Sequence, residues 1–291
     1  MDVVVGLFVG VLVSQITYAS QTGGSTIAQE EKLLGKLVKS KLNPRIGRFI
    51  TPYLNRVQPT DKNIHKMVKN WLKLYNSKTK FPPIEHKSHI SNWDTSLITD
   101  MSGLFKNAVK FNDDISQWNT SKVTNMNGMF EGAKTFNQPI GNWDTGNVTD
   151  MSNMFRDATS FNKYIGCWDT TKVKTMNSMF FRAETFNQDI RMKCCTKEDG
   201  TEYRSWNIRN VKNIDFMFFG ATSFNQPIDN WVPSAFLNKV KSYMFLGATK
   251  FNQNLLSWGI HLEDMRREER RFAGCNLTYR SRAEDLRDYR D

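Results

Sequence analysis

A tryptophan returns at positions 93, 118, 143 and 168, and again at 206, 231 and 258, at intervals of 25, 25, 25, 38, 25 and 27 residues. Twelve residues after each of the first five comes a phenylalanine: Phe105, Phe130, Phe155, Phe180 and Phe218. Phe245 follows Trp231 by fourteen, and a Phe-Asn pair opens at 111, 136, 161, 186, 224 and 251. A fixed period between about 20 and 50 residues marks an array of stacked supersecondary units. No unit of this length buries its own Trp, Phe and Met, so each must lean on its neighbours.

Within a unit, Met101, Leu104, Phe105 and Ala108 stand at i, i+3, i+4 and i+7. That spacing predicts one face of a short helix, and Met126–Ala133 and Met151–Ala158 repeat it. Ser102, Asn127, Ser152 and Asn177 stand near where such a helix needs a capping oxygen. A β-prone pair precedes it at Val123-Thr124 and Val148-Thr149, with Val173 in the next copy. Trp-Asp-Thr or Trp-Asn-Thr before that reads as a turn, because Asx side chains bond their own backbone. The expected fold is therefore α/β: a solenoid of about six 25-residue strand–short helix repeats with a parallel sheet, plus a helical N-terminal cap. Asn112, Asn137, Asn162, Asn187, Asn225 and Asn252 each sit beside a core Phe. A buried polar group needs a partner, so these six are expected to form a ladder between adjacent units.

The string W-D-T-x-x-V-T-D-M-S-x-M-F-x-x-A-x-x-F-N-x-x-I resembles the BspA-like surface-protein repeat. That repeat is also described as the mycoplasma lipoprotein-associated repeat, a variant of the leucine-rich repeat class. The resemblance covers about residues 84 to 258, some 60% of the chain. It implies a leucine-rich-repeat-like solenoid used for binding or adhesion rather than catalysis. Such repeats occur in bacterial surface proteins, in protists and algae, and in large DNA viruses.

The regular spacing is broken between Phe186 and Trp206 by thirteen extra residues around RMKCCTKEDGTEYRS. Asp199-Gly200 is a hairpin turn signal with flanking arms, giving a hairpin insertion at about 191–204. Insertions in repeat arrays map to loops on one face, often the binding face, so Lys197, Asp199 and Tyr203 are candidate partner contacts.

The net charge of +11 is concentrated in residues 20–87, which carry +10. This stretch reads as a basic helical cap or docking region. Thr60 precedes an apolar face of Ile64, Met67, Val68, Trp71, Leu72 and Tyr75. Lys62, Lys66, Lys69 and Lys73 fall on the opposite side and are further candidate contacts. A second candidate helix spans Glu30 to Lys41. Residues 1–19 hold VVVGLFVGVLV, which fits a signal core cut after Ala19, an anchor, or a buried strand. Residues 259–291 form a charge-mixed tail, and the repeats proper run over 88–258.

Nothing in the sequence assembles a catalytic site. The four His (65, 86, 89, 261) and four Cys (167, 194, 195, 275) have no zinc-ligand spacing. There is no phosphate-binding glycine loop and no Gly-x-Ser-x-Gly. Asp follows Trp at 94, 144 and 169 but Asn replaces it at 119 and 207. A turn tolerates that exchange and a catalytic carboxylate does not. The reading is a non-enzymatic interaction or scaffold protein without cofactor or metal, placed in a larger assembly such as a virus particle. The alternative is a secreted or cell-surface adhesin for protein or glycan; a virion or surface location is favoured over the cytoplasm. Protein partners are expected, with an anionic membrane as a second partner for the basic region. Nucleic acid and small-molecule substrates are disfavoured.

Overall fold

The computed structural model describes residues 57–76, 89–197, 199–231 and 243–258, all within one compact unit, Val57–Asp291. Readings made on residues 1–19, on Glu30 to Lys41 and on 259–291 lie outside the described residues.

The units stack as successive coils, but their backbone is not the expected one. Among the described residues the only α-helix is α1 (Ile64–Asn76), and the only named sheet is the antiparallel pair β1 (Cys194–Thr196) and β2 (Glu202–Arg204). The strand–short helix repeat, the parallel sheet and the leucine-rich-repeat-like solenoid are thereby overturned. Parallel pairing survives only as single-residue bridges, Asp100–Asn125, Asn125–Asp150, Asp150–Thr175 and Thr175–Asn213.

Two backbone positions explain why, one shared by the first five coils and one by all six. Met101 accepts from the Leu104 amide, Gly103 from Lys106, and Phe105 from Ala108. These are tandem turns, and the third residue of the first and last has positive φ. The first position is held by Gly103, Gly128, Asn153, Ser178 and Phe216 (φ 55–60°). The second is held by Asn107, Gly132, Asp157, Arg182, Gly220 and Gly247 (φ 51–77°). A left-handed residue cannot continue a right-handed helix, and it bends the chain away before a second consecutive bridge forms. Each three-residue turn still brings the chain round, so Met101, Leu104, Phe105 and Ala108 all point inward and are buried. The helix-like spacing was a true signal of burial with the wrong backbone attached.

The coils are joined by alternate amides. Met101, Gly103, Phe105 and Asn107 donate to the carbonyls of Asn125, Asn127, Met129 and Glu131, and the next junction repeats the pattern. Three side-chain ladders run beside them. The Asn137 amide donates to Asn112 Oδ1 at 2.8 Å, and Asn162, Asn187, Asn225 and Asn252 each bond the Asn one coil back at 2.9–3.0 Å. The buried indole N–H groups of Trp118, Trp143, Trp168, Trp206 and Trp231 donate to the carbonyls of Ile90, Ile115, Ile140, Ile165 and Ile190. The buried hydroxyls of Thr95, Thr120, Thr145 and Thr170 reach carbonyls of the following coil. Most of the polar atoms brought inside are thus bonded across a junction, whereas the buried Asp215 Oδ1 has no partner among the described residues.

The core between these ladders is two columns of phenylalanine. Phe105, Phe130, Phe155, Phe180, Phe218 and Phe245 lie parallel, with ring centres 5.5–5.7 Å apart. Within each coil the Phe of the Phe-Asn pair stacks on its partner at 3.9–4.1 Å. Helix α1 closes the first coil. Its Ile64, Val68 and Trp71 are buried, and Trp71 Nε1 donates to Asp113 Oδ2 at 2.7 Å. Asp61, just before α1, accepts from the Thr99 amide and hydroxyl and the Asp100 amide. It occupies donors that a preceding coil would otherwise have used. Burial alone would push the Asp61 carboxyl up, but these bonds hold it below the usual carboxylate range.

Asn162 Oδ1 accepts from both the Asn187 amide and Gln188 Nε2. Replacing Asn162 by Ala strands a part-buried amide and should cost about 1–3 kcal/mol. Thermal denaturation should show a Tm several degrees lower, and Asn162→Asp, which keeps an acceptor, should lose less.

Candidate functional site

The thirteen-residue insertion leaves the fourth coil as an antiparallel hairpin in the register Cys194–Arg204, Cys195–Tyr203 and Thr196–Glu202. Alternation along each strand sends opposite side chains to opposite faces. Cys195 and Tyr203, paired across the hairpin, therefore point the same way, and both reach Cys167. Cys195 forms a disulfide with Cys167, Cα atoms 5.9 Å apart. Tyr203 donates its hydroxyl to the Cys167 carbonyl. Cys194 faces outward as an exposed thiol. At the tip, Lys197 Nζ lies 3.3 Å from Asp144 Oδ1. The hairpin is thus fixed to the preceding coils by a covalent bond, a hydrogen bond and an ion pair.

Between hairpin and coils lies a cleft of about 670 Å³. One wall is Thr196, Lys197, Asp199 and Tyr203; the other is the Trp-Asx-Thr turns of the second, third and fourth coils. Gly146 stands where other copies have Ser96, Ser121, Thr171 and Arg209. A Cβ at Gly146 would lie 3.1 Å from Asp169 Oδ2 and from Lys197 Nζ, and 3.2 Å from Asp144 Oδ1. The missing side chain leaves room where three charged groups converge.

The turn carboxylates have a structural task. Asp144 Oδ1 accepts from the Gly146 amide and Asp169 Oδ1 from the Thr171 amide, while Asn119 and Asn207 do the same with their amide oxygens. Burial pushes the Tyr203 phenol up, and nearby Asp169 and Asp144 push it further, so it stays a hydrogen-bond donor at neutral pH. Asp199 is exposed; the Thr201 amide bonds its carboxylate and holds it below the usual range.

The other sequence-derived candidates lie elsewhere. Lys66, Lys69 and Lys73 are exposed along α1 and Lys62 is exposed in the turn before it, and none forms an ion pair among the described residues. The six asparagines sit in the inter-coil ladder, away from the hairpin tip. The hairpin arms were readable in the sequence, but the Cys167–Cys195 link was not. Its partners are 28 residues apart and share no motif; only the insertion brings them together. Gly146 differs from Ser96, Ser121, Thr171 and Arg209 in the sister turns, a signal present in the sequence. Among the described residues no group of three His, Cys, Asp or Glu could hold a metal ion, and no helix is long and apolar enough to cross a membrane.

Residues 63–193 and 196–281 match the family model described as "Mycoplasma protein of unknown function, DUF285". The chain belongs to this family. The two matched stretches meet inside β1, so the DUF285 pattern is interrupted where the hairpin departs from the coil. No curated protein and no solved structure matches the chain.

Two measurements test how the hairpin is held. Replacing Cys195 by Ser removes the cross-link and should cost about 2–4 kcal/mol, with faster proteolysis at Lys193 and Arg204. At the hairpin root, burial would raise the Asp189 carboxyl, but hydrogen bonds from Arg191 and the nearby Lys193 bring it down to about 2. A carboxyl depressed in the folded state contributes stability above its unfolded pKa of about 3.9. That contribution should disappear as pH falls from about 4 to 2, and Asp189→Asn should flatten the Tm-against-pH curve there. The effect stays below about 1 kcal/mol because the pair is solvent-screened.

Proposed function

We propose that this DUF285 repeat protein is a non-catalytic protein-binding scaffold whose contact site is the cleft under the hairpin. The observation that carries the reading is the triple attachment of the hairpin beside an open cleft. A neutral surface loop needs no disulfide, no tyrosine anchor and no buttressing lysine, whereas a binding wall must keep its shape before its partner arrives. Gly146 supports the same reading, since it keeps open the space between Asp144, Asp169 and Lys197. The bonding of Asp144 and Asp169 within their own turns, shared with Asn119 and Asn207, supports binding over general-base chemistry.

The Cys167–Cys195 disulfide favours a setting outside the reducing cytosol. Together with the resemblance to BspA-like repeats, it supports display at a cell or particle surface. A photo-reactive residue placed at Asn142, which is exposed on the cleft wall, provides the test. Irradiated on material from the native source, it should cross-link one protein. Excess unlabelled wild type should suppress the adduct, while excess Gly146→Leu should not. Absence of a protein adduct, or equal suppression by Gly146→Leu, contradicts the proposal.

A further inference from the structure

A second surface, sharing no residue with the cleft, lies along the column between the two left-handed positions and takes in members of both. In the first three coils the residue after the core Phe is charged: Lys106, Glu131 and Arg156. Lys106 and Glu131 pair at 2.9 Å. In the last three coils the same column reads Phe181, Phe219 and Leu246. The neighbouring left-handed column runs Gly103, Gly128, Asn153 and Ser178 before it reaches Phe216, and Tyr243 takes its place in the sixth coil. These five apolar side chains are half-buried rather than core. Phe181 stacks on Phe219 at 4.6 Å, and Phe216 on Tyr243 at 5.4 Å.

Two members of this face sit where the backbone argues against them. Phe216 has φ 59° and Arg182 φ 51°, in columns where other coils use Gly, Asn, Asp or Ser. A bulky residue at positive φ is an outlier, and such strain persists where the side chain has a task. Neither fills the core. Phe216 extends the aromatic face, and the Arg182 guanidinium lies 5.4 Å from the Phe181 ring. Arg156 lies over the same ring at 4.3 Å.

We propose that Phe181, Phe216, Phe219, Tyr243 and Leu246, edged by Arg156 and Arg182, form a docking surface for an acidic protein segment that carries apolar side chains. The charge argument selects this occupant. The faces of Phe181 are covered by Arg156 and Phe219, so it presents its ring edge, the electropositive part of an aromatic. Arg156 already pairs with Asp157 at 3.6 Å, so it is the Arg182 guanidinium beside these ring edges that favours a carboxylate. Phe181 itself, covered on both faces, leaves no platform for a nucleic-acid base, which binds by face stacking.

The test uses the full chain and three labelled twelve-residue peptides with the same leucines, flanked by Glu, Ser or Lys, read by fluorescence anisotropy. Phosphatidylserine vesicles serve as a separate probe. The Glu peptide should bind at least ten-fold more tightly than the Lys peptide, with the Ser peptide between. Phe216→Gly and Arg182→Gly restore the glycine that each column uses elsewhere, so the coil should keep its Tm within a few degrees. Both should weaken Glu-peptide binding, Phe216→Gly at least ten-fold and Arg182→Gly at least three-fold. Gly146→Leu in the cleft should leave it unchanged, which separates this surface from the cleft. The proposal is overturned if no peptide binds, if Glu and Lys peptides bind alike, or if the two glycine variants bind like wild type. Capture of the vesicles in place of the Glu peptide also overturns it.

Discussion

The stack depends on a backbone amide finding an acceptor one coil away. Each coil must turn inside 25 residues, and turns this tight leave amides and carbonyls that no internal ladder satisfies. Alternate amides from Met101 to Asn107 meet the next coil's carbonyls, and the asparagine, tryptophan and threonine side chains bond most of what remains across the same junctions. The phenylalanine columns supply the apolar contact that draws coils together. The polar ladders fix how they align, because a slip of one residue would strand a bonded group in every column.

This arrangement explains which parts of the fold were legible. The period, the inward columns and the Asx turns could be read because each rests on local chemistry: buried Phe and Trp recur, and Asp or Asn after Trp bonds the amide two residues on. The backbone between them could not be read from apolar spacing alone. Met101, Leu104, Phe105 and Ala108 satisfy a helix and a run of tandem turns equally well. The deciding signal was the polar half of the pattern. Gly103 and Asn107, repeated as Gly128 and Gly132 and as Asn153 and Asp157, are residue types suited to positive φ, and glycine twice in one turn is costly in a helix. Those columns are incompatible with both the helix and the parallel sheet.

The candidate site was half legible for a related reason. A hairpin announced by Asp199-Gly200 is local information, and Lys197 and Tyr203 followed from it. What those residues touch is set by where the insertion lands on the stack, and that depends on partners 28 to 53 residues away. The repeat frame makes such departures meaningful. Gly146 where sister turns carry Ser, Thr or Arg, or Phe216 where sister positions carry Gly, Asn or Ser, carries weight because sister positions define what the coil alone requires. The two proposed contact surfaces rest on such departures, which open space or add strain without adding to the core.

The most direct test of the account is a scalar-coupling NMR measurement across the asparagine ladder, combined with φ values for residues 101–108. The account predicts a correlation between the Asn137 amide nitrogen and the Asn112 side-chain carbonyl carbon. The same correlation should link Asn162 to Asn137 and Asn187 to Asn162, with positive φ at Gly103 and Asn107. Missing side-chain correlations, together with unbroken helical φ from Met101 to Ala108, would contradict it.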